Sequence, residues 1–341
     1  MAKKVKIGIL GCANIAERYS IKAFQNIRNA LVVSIASRNA NKAKEWANKF
    51  NIPKYEDYES LVLNPEVDAL YIPLPIGLHK EWILKAVKAG KHVLSEKSLA
   101  SDLQDVQEII ESCKNNNIVL YENFTCDYHP QHKKVVELMK EDSIGKPYVF
   151  QSTYGFPIIG SDNFRYKKEL GGSALNESGA YQIYTARRLF NREPLSVSAN
   201  LHTDSENKID MNGSVIMDFG NNTLAQFSFN LNAVYQNHYS IWGERGLIKV
   251  NRAYAIPIDM KPQIEILKNE NKKEIVIPID VPAHNHFESI FREFCDLVLG
   301  RENLKKEINN KYSDILSQAK VLEAVRISSR KGQEIKMMEI K

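Results

Sequence analysis

The chain has 341 residues, of which 43% are hydrophobic and 26% are charged, and its formal net charge at pH 7 is +5. A chain of this length forms roughly two domains, each with a hydrophobic core of its own. It contains no apolar run near the ~20 residues that a membrane span needs and no signal-peptide pattern. It also has no basic stripe of the kind that binds nucleic acid. We therefore expect a cytoplasmic protein with neither a membrane nor a nucleic-acid partner.

The N-terminal part of the chain alternates apolar runs with amphipathic segments. Strands are predicted at Val5–Leu10, Leu31–Ala36, Val67–Ile72, His92–Ser95 and Ile118–Asn123, with helical segments such as Leu84–Ala89 and Leu103–Cys113 between them. Strands that are apolar throughout are typical of a parallel sheet covered by helices on both faces. We therefore predict an α/β, doubly wound domain over residues 1–124.

Beyond that domain the pattern changes to short runs with a period of two. Strands are predicted at Pro147–Thr153, Leu195–His202, Gly213–Phe219, Leu224–Asn230, His238–Trp242, Gln263–Leu267 and Glu274–Ile279. This period is typical of a mostly antiparallel sheet with one covered face. Helices are predicted over Gly179–Phe190 and Ser313–Arg330, with Gly332 ending the second. We assign residues 125–341 to a second α/β domain and leave open whether the helix at 313–330 packs back on the first.

The first predicted strand leads into a turn similar to the phosphate-binding turn of dinucleotide-binding proteins. The stretch VKIGILGCANIA keeps Gly11 of the G-x-G-x-x-G pattern but has Ala13 and Ala16 at the second and third glycine positions. The first glycine allows the tight bend, and the other two allow close approach of the pyrophosphate and of the following helix. Alanine adds a single methyl group, so the pattern predicts a cofactor turn, with a plain strand-to-helix turn as the alternative.

The end of the second predicted strand indicates which dinucleotide would bind. Sites that prefer NAD usually have an acidic residue there, which binds the ribose 2′-hydroxyl. Here Ser37 and Arg38 occupy the place and Lys42 follows. A guanidinium binds phosphate through paired hydrogen bonds. We therefore predict NADP(H), the alternative being a solvated arginine on a surface loop.

Three ordered stretches resemble the Gfo/Idh/MocA oxidoreductase family. They are YIPLPIGLHKEW at 71–82, AGKHVLSEKSLA at 89–100 and GGSALNESGAYQIYTARRLF at 171–190. The resemblance covers nearly the whole chain. It implies a Rossmann domain followed by an α/β domain that binds substrate and forms oligomers, so a homodimer or homotetramer is expected.

Four positions depart from the family pattern. Ser98 stands where the family's E-K-P has proline, Ser173 replaces a glycine, Glu177 replaces an aspartate, and Tyr181 stands where many members have histidine. The tyrosine is similar to that of a narrower group, the bacterial enzymes that reduce dTDP-linked 3-keto sugars in deoxysugar synthesis. Dimeric dihydrodiol dehydrogenases share it.

The resemblance therefore implies NADPH-dependent reduction of a keto group, at C-3, on a nucleotide-linked sugar. Two alternatives stay open, an NADP-dependent dehydrogenase of a free sugar or trans-dihydrodiol and a non-catalytic NADP-binding regulator. The presence of both Lys97 and Tyr181 argues against the regulator.

Reduction of a ketone by a nicotinamide requires the protein to orient the carbonyl and supply a proton. Lys97 ends a predicted parallel strand, where ligands of such sheets bind, and it could polarise the ketone and stabilise the alkoxide. Tyr181, in the second domain, could donate its phenolic proton. Sequence does not decide which of the two gives the proton. The structural alternatives are a surface lysine and a packed aromatic ring.

The remaining site residues complete the prediction. By resemblance, the cofactor site includes Ala13, Asn14, Ile15, Pro73, Leu74, His79, Glu96, Lys97 and Asn123 in addition to the positions above. Glu96 could orient Lys97 or bind a nicotinamide ribose hydroxyl. Candidates for the substrate are Arg165 and Arg252 for a diphosphate, Tyr166, Tyr235 and Tyr254 for stacking on a base or sugar, and Glu177.

The stretch Cys126-x-x-His129-x-x-His132 has possible metal-ligand residues. It could bind zinc only if the backbone brought all three onto one centre together with a fourth ligand. The family resemblance explains the stretch without a metal, and we predict none.

Overall fold

A computed structural model describes residues 3–158, 160, 162–300 and 304–341. The chain divides into two units. The first unit comprises Met1–Thr125 and Phe287–Leu316, and the second comprises Cys126–His286 and Ser317–Lys341. No helix in these described ranges is both long enough and apolar enough to cross a membrane.

The N-terminal part of the first unit alternates strands and helices. In chain order these are β1 Val5–Leu10, α1 Ile21–Asn26, β2 Ala30–Ala36, α2 Ala40–Lys49, β3 Lys54–Glu56, α3 Tyr58–Leu63, β4 Ala69–Ile72, α4 His79–Lys88, β5 His92–Glu96, α5 Leu103–Asn115 and β6 Leu120–Asn123. The strands form one sheet in the order β3-β2-β1-β4-β5-β6, and all neighbours are parallel. This is the doubly wound order of a Rossmann fold, which confirms the predicted fold class. Strand β3 is not among the predicted strands, because its three residues form no apolar run.

The remaining elements follow in chain order. They are α6 Pro130–Lys140, β7 Pro147–Phe156, α7 Ala180–Phe190, β8 Ser196–Thr203, β9 Asp210–Asp218, β10 Leu224–Leu231, β11 Gln236–Gly243, β12 Leu247–Asn251, β13 Gln263–Glu270, β14 Lys273–Ile279, α8 His286–Val298, α9 Leu304–Lys331 and β15 Ile335–Lys336. Helix α9 contains the predicted segment 313–330 but begins at Leu304 and, beyond Leu316, belongs to the second unit.

A late segment of the chain completes the core of the first unit. Phe291 of α8 stacks on Phe24 of α1, with ring centroids 4.0 Å apart and an interplanar angle of 7°. The Asn29 side-chain amide donates to the Arg292 carbonyl over 2.9 Å. Burying apolar surface is favourable in proportion to the area removed from water. Helix α8 is therefore stabilised by its aromatic packing against α1 as well as by its own backbone hydrogen bonds.

The second unit is built on a nine-stranded sheet in the order β14-β13-β12-β11-β7-β10-β9-β8-β15. The β7–β10 pair is parallel, and the other pairs are antiparallel, which confirms a mostly antiparallel sheet. The turns at 220–222 and 244–246, each of which contains a glycine, connect hairpins.

One face of this sheet is covered and the other is open. The segment that leads into α7 lies close to β10, because a Cβ on Gly179 would come 2.9 Å from Phe229 Cε1. On the opposite face Ile216 and Trp242 are exposed. The period of two in the sequence therefore corresponds to a sheet with one buried face.

Candidate active site

The turn after β1 has the geometry that a dinucleotide cradle requires. Gly11 has φ of +131°, which L side chains rarely adopt, and a Cβ there would lie 2.8 Å from Leu74 Cδ2. Ala16 is fully buried at the start of a π-helical turn that continues into α1. Ala13 and Ile15 are half-buried, and Asn14 is exposed. A glycine is therefore needed at residue 11, whereas alanine fits at residue 16.

The residues predicted to select the 2′-phosphate lie at the start of α2. The Ser37 hydroxyl accepts a hydrogen bond from the Asn39 N–H at 3.1 Å, and Arg38 is exposed. Lys42 Nζ donates to the carbonyl of Cys12 over 2.9 Å, which ties the start of α2 to the Gly11 turn. Two cations at a helix N-terminus form an environment that favours a phosphate.

A hydrogen-bonded network holds Glu96 at the end of β5. Tyr71 donates to Glu96 Oε1 over 2.6 Å, and Asn123 Nδ2 donates to the same oxygen over 2.7 Å. Tyr71 has a single hydroxyl proton, which it donates to the carboxylate. The Ser20 hydroxyl, whose oxygen is 2.9 Å from the Tyr71 oxygen, therefore donates to Tyr71. The Asn123 side-chain oxygen is buried with no hydrogen-bond partner among the described residues. An unmatched buried acceptor, together with the Gly11 turn, fits a ligand that carries donors, as a dinucleotide does.

Lys97 follows Glu96 and is 9% exposed; the Lys97–Ser98 peptide bond is cis. His79 lies close by, fully buried, with Nδ1 3.0 Å from the Ser98 carbonyl and Nε2 2.8 Å from the Leu74 carbonyl. Burial lowers the pKa of His79 below its ordinary value, and the Lys97 charge lowers it further. Both ring nitrogens thus face backbone. His79 ties Leu74, next to the buried Pro73, to the segment that carries Lys97.

In the second unit, Tyr181 lies in the first turn of α7, directly after a π-helical turn at Leu175–Gly179. Its half-buried ring packs edge-on against Tyr154, with centroids 5.7 Å apart, and 6.0 Å from the ring of Tyr254. π-Helical turns are frequent at functional sites. Tyr154 was not among the predicted site residues. It lies one residue beyond the predicted strand 147–153, and continuing the period of two would have placed it on the buried face.

Of the substrate candidates, Arg165 and Glu177 form an ion pair. Arg165 Nε donates to Glu177 Oε2 over 2.9 Å. The Glu177 residue is 9% exposed.

The other substrate candidates fall into different environments. The Arg252 guanidinium stacks over the ring of exposed Tyr235, 4.7 Å from its centroid. Tyr254 is buried and is hydrogen-bonded to Ser152 over 2.6 Å, and burial raises its pKa well above the ordinary value. Tyr166 is half-buried in a short 3₁₀ turn. Tyr235 and Arg252 are thus accessible to a ligand, whereas Tyr254 supports Tyr181 by packing.

The two histidines of the stretch Cys126–His132 make hydrogen bonds that hold the local structure. His129 caps α6 by accepting from the Gln131 N–H. His132 contacts the Tyr239 hydroxyl at 3.0 Å and the Ala253 carbonyl at 2.9 Å. In the part of the chain that the structure describes, no group of three His, Cys, Asp or Glu residues could hold a metal ion.

Comparison with known proteins identifies the family. Residues 5–124 match the Gfo/Idh/MocA model described as an oxidoreductase family with an NAD-binding Rossmann fold, and residues 132–249 match the Gfo/Idh/MocA C-terminal domain. The dTDP-3,4-didehydro-2,6-dideoxy-alpha-D-glucose 3-reductase of Saccharopolyspora spinosa is 34% identical over 86% of this chain and 88% of its own length. The enzyme of the same name from Actinomadura kijaniata is 31% identical over 96% and 97%.

A solved structure agrees with these relatives. KijD10, a 3-ketoreductase from Actinomadura kijaniata in complex with NADP and TDP-benzene, has a TM-score of 0.89 and 30% identity over 96% of this chain and 98% of its own. Structures of the same protein also exist with one tyrosine changed to phenylalanine and with one lysine changed to alanine. This chain therefore belongs to the Gfo/Idh/MocA family of oxidoreductases.

Proposed function

We propose that this protein is an NADPH-dependent reductase that acts on the C-3 keto group of a nucleotide-linked sugar. The observation that carries the proposal is its similarity, over 96% of the chain, to a 3-ketoreductase whose structure holds NADP and TDP-benzene. The family is an oxidoreductase family, and a lysine and a tyrosine suited to ketone reduction are present as Lys97 and Tyr181.

NADP(H) fits the first unit for local reasons. The Gly11 turn would receive the pyrophosphate, together with Ala13, Asn14 and Ile15. Ser37, Arg38 and Lys42 would bind the 2′-phosphate. When bound, the cofactor supplies the hydride, and no carboxylate among these residues would repel its extra phosphate.

A different set of residues would bind the nicotinamide end of the cofactor. Glu96 would accept a hydrogen bond from the nicotinamide ribose, and Asn123 would contribute its unmatched oxygen. Pro73 and Leu74 would line the cofactor, with His79 fixing their loop through the Leu74 carbonyl.

In the proposed reduction, Lys97 and Tyr181 stabilise the developing charge and supply the proton. The Lys97 ammonium would stabilise, by a charge-assisted hydrogen bond, the negative charge that develops on the carbonyl oxygen during reduction. A proton from Tyr181 or Lys97 then completes the alcohol. Removing one such donor costs about 10²–10³ in kcat in enzymes that stabilise an oxyanion.

For the substrate, we assign the accessible Arg252–Tyr235 pair to the nucleoside diphosphate. Arginine binds phosphate and an aromatic ring stacks on a base. Glu177, an acceptor only, would take hydrogen bonds from the sugar hydroxyls, and Tyr166 would flank the ligand.

The test is NADPH consumption by the purified protein with dTDP-, UDP-, GDP- and CDP-linked keto sugars and with the corresponding free sugars and diols. We expect turnover with a nucleotide-linked keto sugar and little with free sugars. Lys97→Met and Tyr181→Phe should lower kcat by about 10²–10³ while NADPH binding persists. Turnover restricted to free sugars or diols would refute the proposed substrate, and near-normal kcat in Lys97→Met would remove the lysine from the mechanism.

A further inference from the structure

The short 3₁₀ turn Phe164–Tyr166 packs directly against the second glycine of the G-G-S motif. A Cβ on Gly172 would come 2.2 Å from the Arg165 carbonyl oxygen and 2.9 Å from its carbonyl carbon. The Gly172 N–H also donates to the Lys167 carbonyl over 3.0 Å. These are backbone atoms, which cannot rotate away as a side chain can. Glycine at residue 172 therefore allows the turn to approach the segment that carries Glu177.

The approach brings the Arg165 side chain to Glu177. Arg165 Nε donates to Glu177 Oε2 over 2.9 Å, and the guanidinium lies over the Phe164 ring at 4.5 Å and the Phe156 ring at 5.5 Å. The Asn163 side chain accepts from the Arg165 N–H and closes the turn. The guanidinium is thus fixed by one carboxylate and two aromatic rings.

This environment is a poor one for a phosphate ligand. The Glu177 side chain is 10% exposed, so its charge is only weakly screened by water. A diphosphate at Arg165 would be repelled by that carboxylate, because like charges a few ångströms apart and shielded from water repel each other strongly. By contrast, Arg252 stacks on an exposed tyrosine.

We propose that Arg165 is a positioning residue, which acts on the sugar through Glu177 and does not bind the diphosphate. Its Nε–H holds the Glu177 carboxylate in one orientation, so that the carboxylate can accept hydrogen bonds from sugar hydroxyls. The proposal rests on the proposed function in assigning Glu177 to the sugar. It also gives the G-G-S motif a reason, since Gly172 brings Arg165 within reach.

The experiment compares Arg165→Ala, Arg165→Lys, Glu177→Gln and the double variant Arg165→Ala/Glu177→Gln. For each we would measure kcat and KM with the keto sugar that the wild type reduces, and the inhibition constant of free dTDP. Lys168→Ala, which removes a neighbouring exposed cation, is the control for net charge. Arg252→Ala is the contrasting variant, assigned to the diphosphate.

Arg165→Ala should lower kcat/KM for the keto sugar by about 10- to 100-fold, the value of one hydrogen bond to a charged group, and leave the dTDP inhibition constant unchanged. The double variant should be no worse than Glu177→Gln alone, because the two residues act as one unit. Arg165→Lys should recover part of the loss. Arg252→Ala should show the opposite pattern, with weaker dTDP binding.

Three results would overturn the proposal. They are weaker dTDP binding in Arg165→Ala, additive losses in the double variant, and unchanged kcat/KM in Arg165→Ala. A wild type that reduces only free sugars would refute the proposed function, yet the same variants measured on that sugar still test the role of Arg165, because Glu177 is assigned to the sugar ring. The two failures are therefore distinguishable.

Discussion

Replacing Tyr71 by phenylalanine removes one hydroxyl from the interior of the first unit and changes little else. Tyr71 is fully buried on β4. Its hydroxyl donates to Glu96 Oε1 over 2.6 Å and accepts from Ser20. After the change, Ser20 still has the Ile15 carbonyl at 3.4 Å, and Glu96 still accepts from Asn123.

The net loss is therefore one hydrogen bond to a carboxylate. A hydrogen bond to a charged group contributes about 1.5–3 kcal/mol, so we expect the free energy of unfolding to fall by about 2 kcal/mol. Glu96 also loses one of the hydrogen bonds that orient it. If Glu96 binds the nicotinamide ribose, KM for NADPH should rise roughly fivefold, equivalent to about 1 kcal/mol of positioning.

Tyr121→Phe is the matched control in the same sheet. Tyr121 is also buried and donates to a carboxylate, Glu293, over 2.7 Å. The Glu293 side chain is 44% exposed, so water replaces the lost donor and the cost should be only about 0.5–1 kcal/mol. Urea unfolding gives the free energies and steady-state kinetics give KM. An equal rise in KM in both variants, or none in Tyr71→Phe, would refute the assignment of Glu96 to the cofactor.

Three further changes test other parts of the structure. Gly11→Ala should weaken NADPH binding at least about tenfold by titration, because it combines a positive φ with a contact of 2.8 Å to Leu74. Arg38→Ala should raise KM for NADPH and leave KM for NADH nearly unchanged; equal changes would contradict a 2′-phosphate contact. Burial lowers the pKa of His132 to about 4 from 6.5. Between these two pKa values the unfolded chain binds a proton at His132 that the folded chain does not bind. The contribution of neutral His132 to the free energy of unfolding is therefore fully present above about pH 6.5. It should be lost as the pH falls from about 6.5 to 4, by up to about 3 kcal/mol. His132→Gln should reduce that slope in urea unfolding at successive pH values.

Local patterns in the sequence were sufficient to predict much of the fold. The five N-terminal apolar runs are strands of one parallel sheet. The Gly332 N–H bonds to the Ser328 carbonyl just after α9 ends. Such features depend on residues a few positions apart, so composition and spacing carry the information.

The short elements were not predictable in the same way. β3 has three residues with none buried, and α8 has an apolar face whose partner is distant in sequence. Asn29 and Arg292 are 263 residues apart and still share a hydrogen bond. No local pattern encodes such a pairing, because the stabilising surface exists only after the sheet has formed.

The candidate site divides along the same line. By itself, the sequence determined the alternation of strands and helices, the need for glycine at residue 11 and the presence of Glu96 and Lys97 at a strand end. Only the tertiary structure decided that Tyr71 holds Glu96 and that Arg165 is paired with Glu177. Hydrogen bonds and ion pairs require atoms about 3 Å apart, and residues from different elements reach that distance only when the backbone packs closely enough, as it does at Gly172.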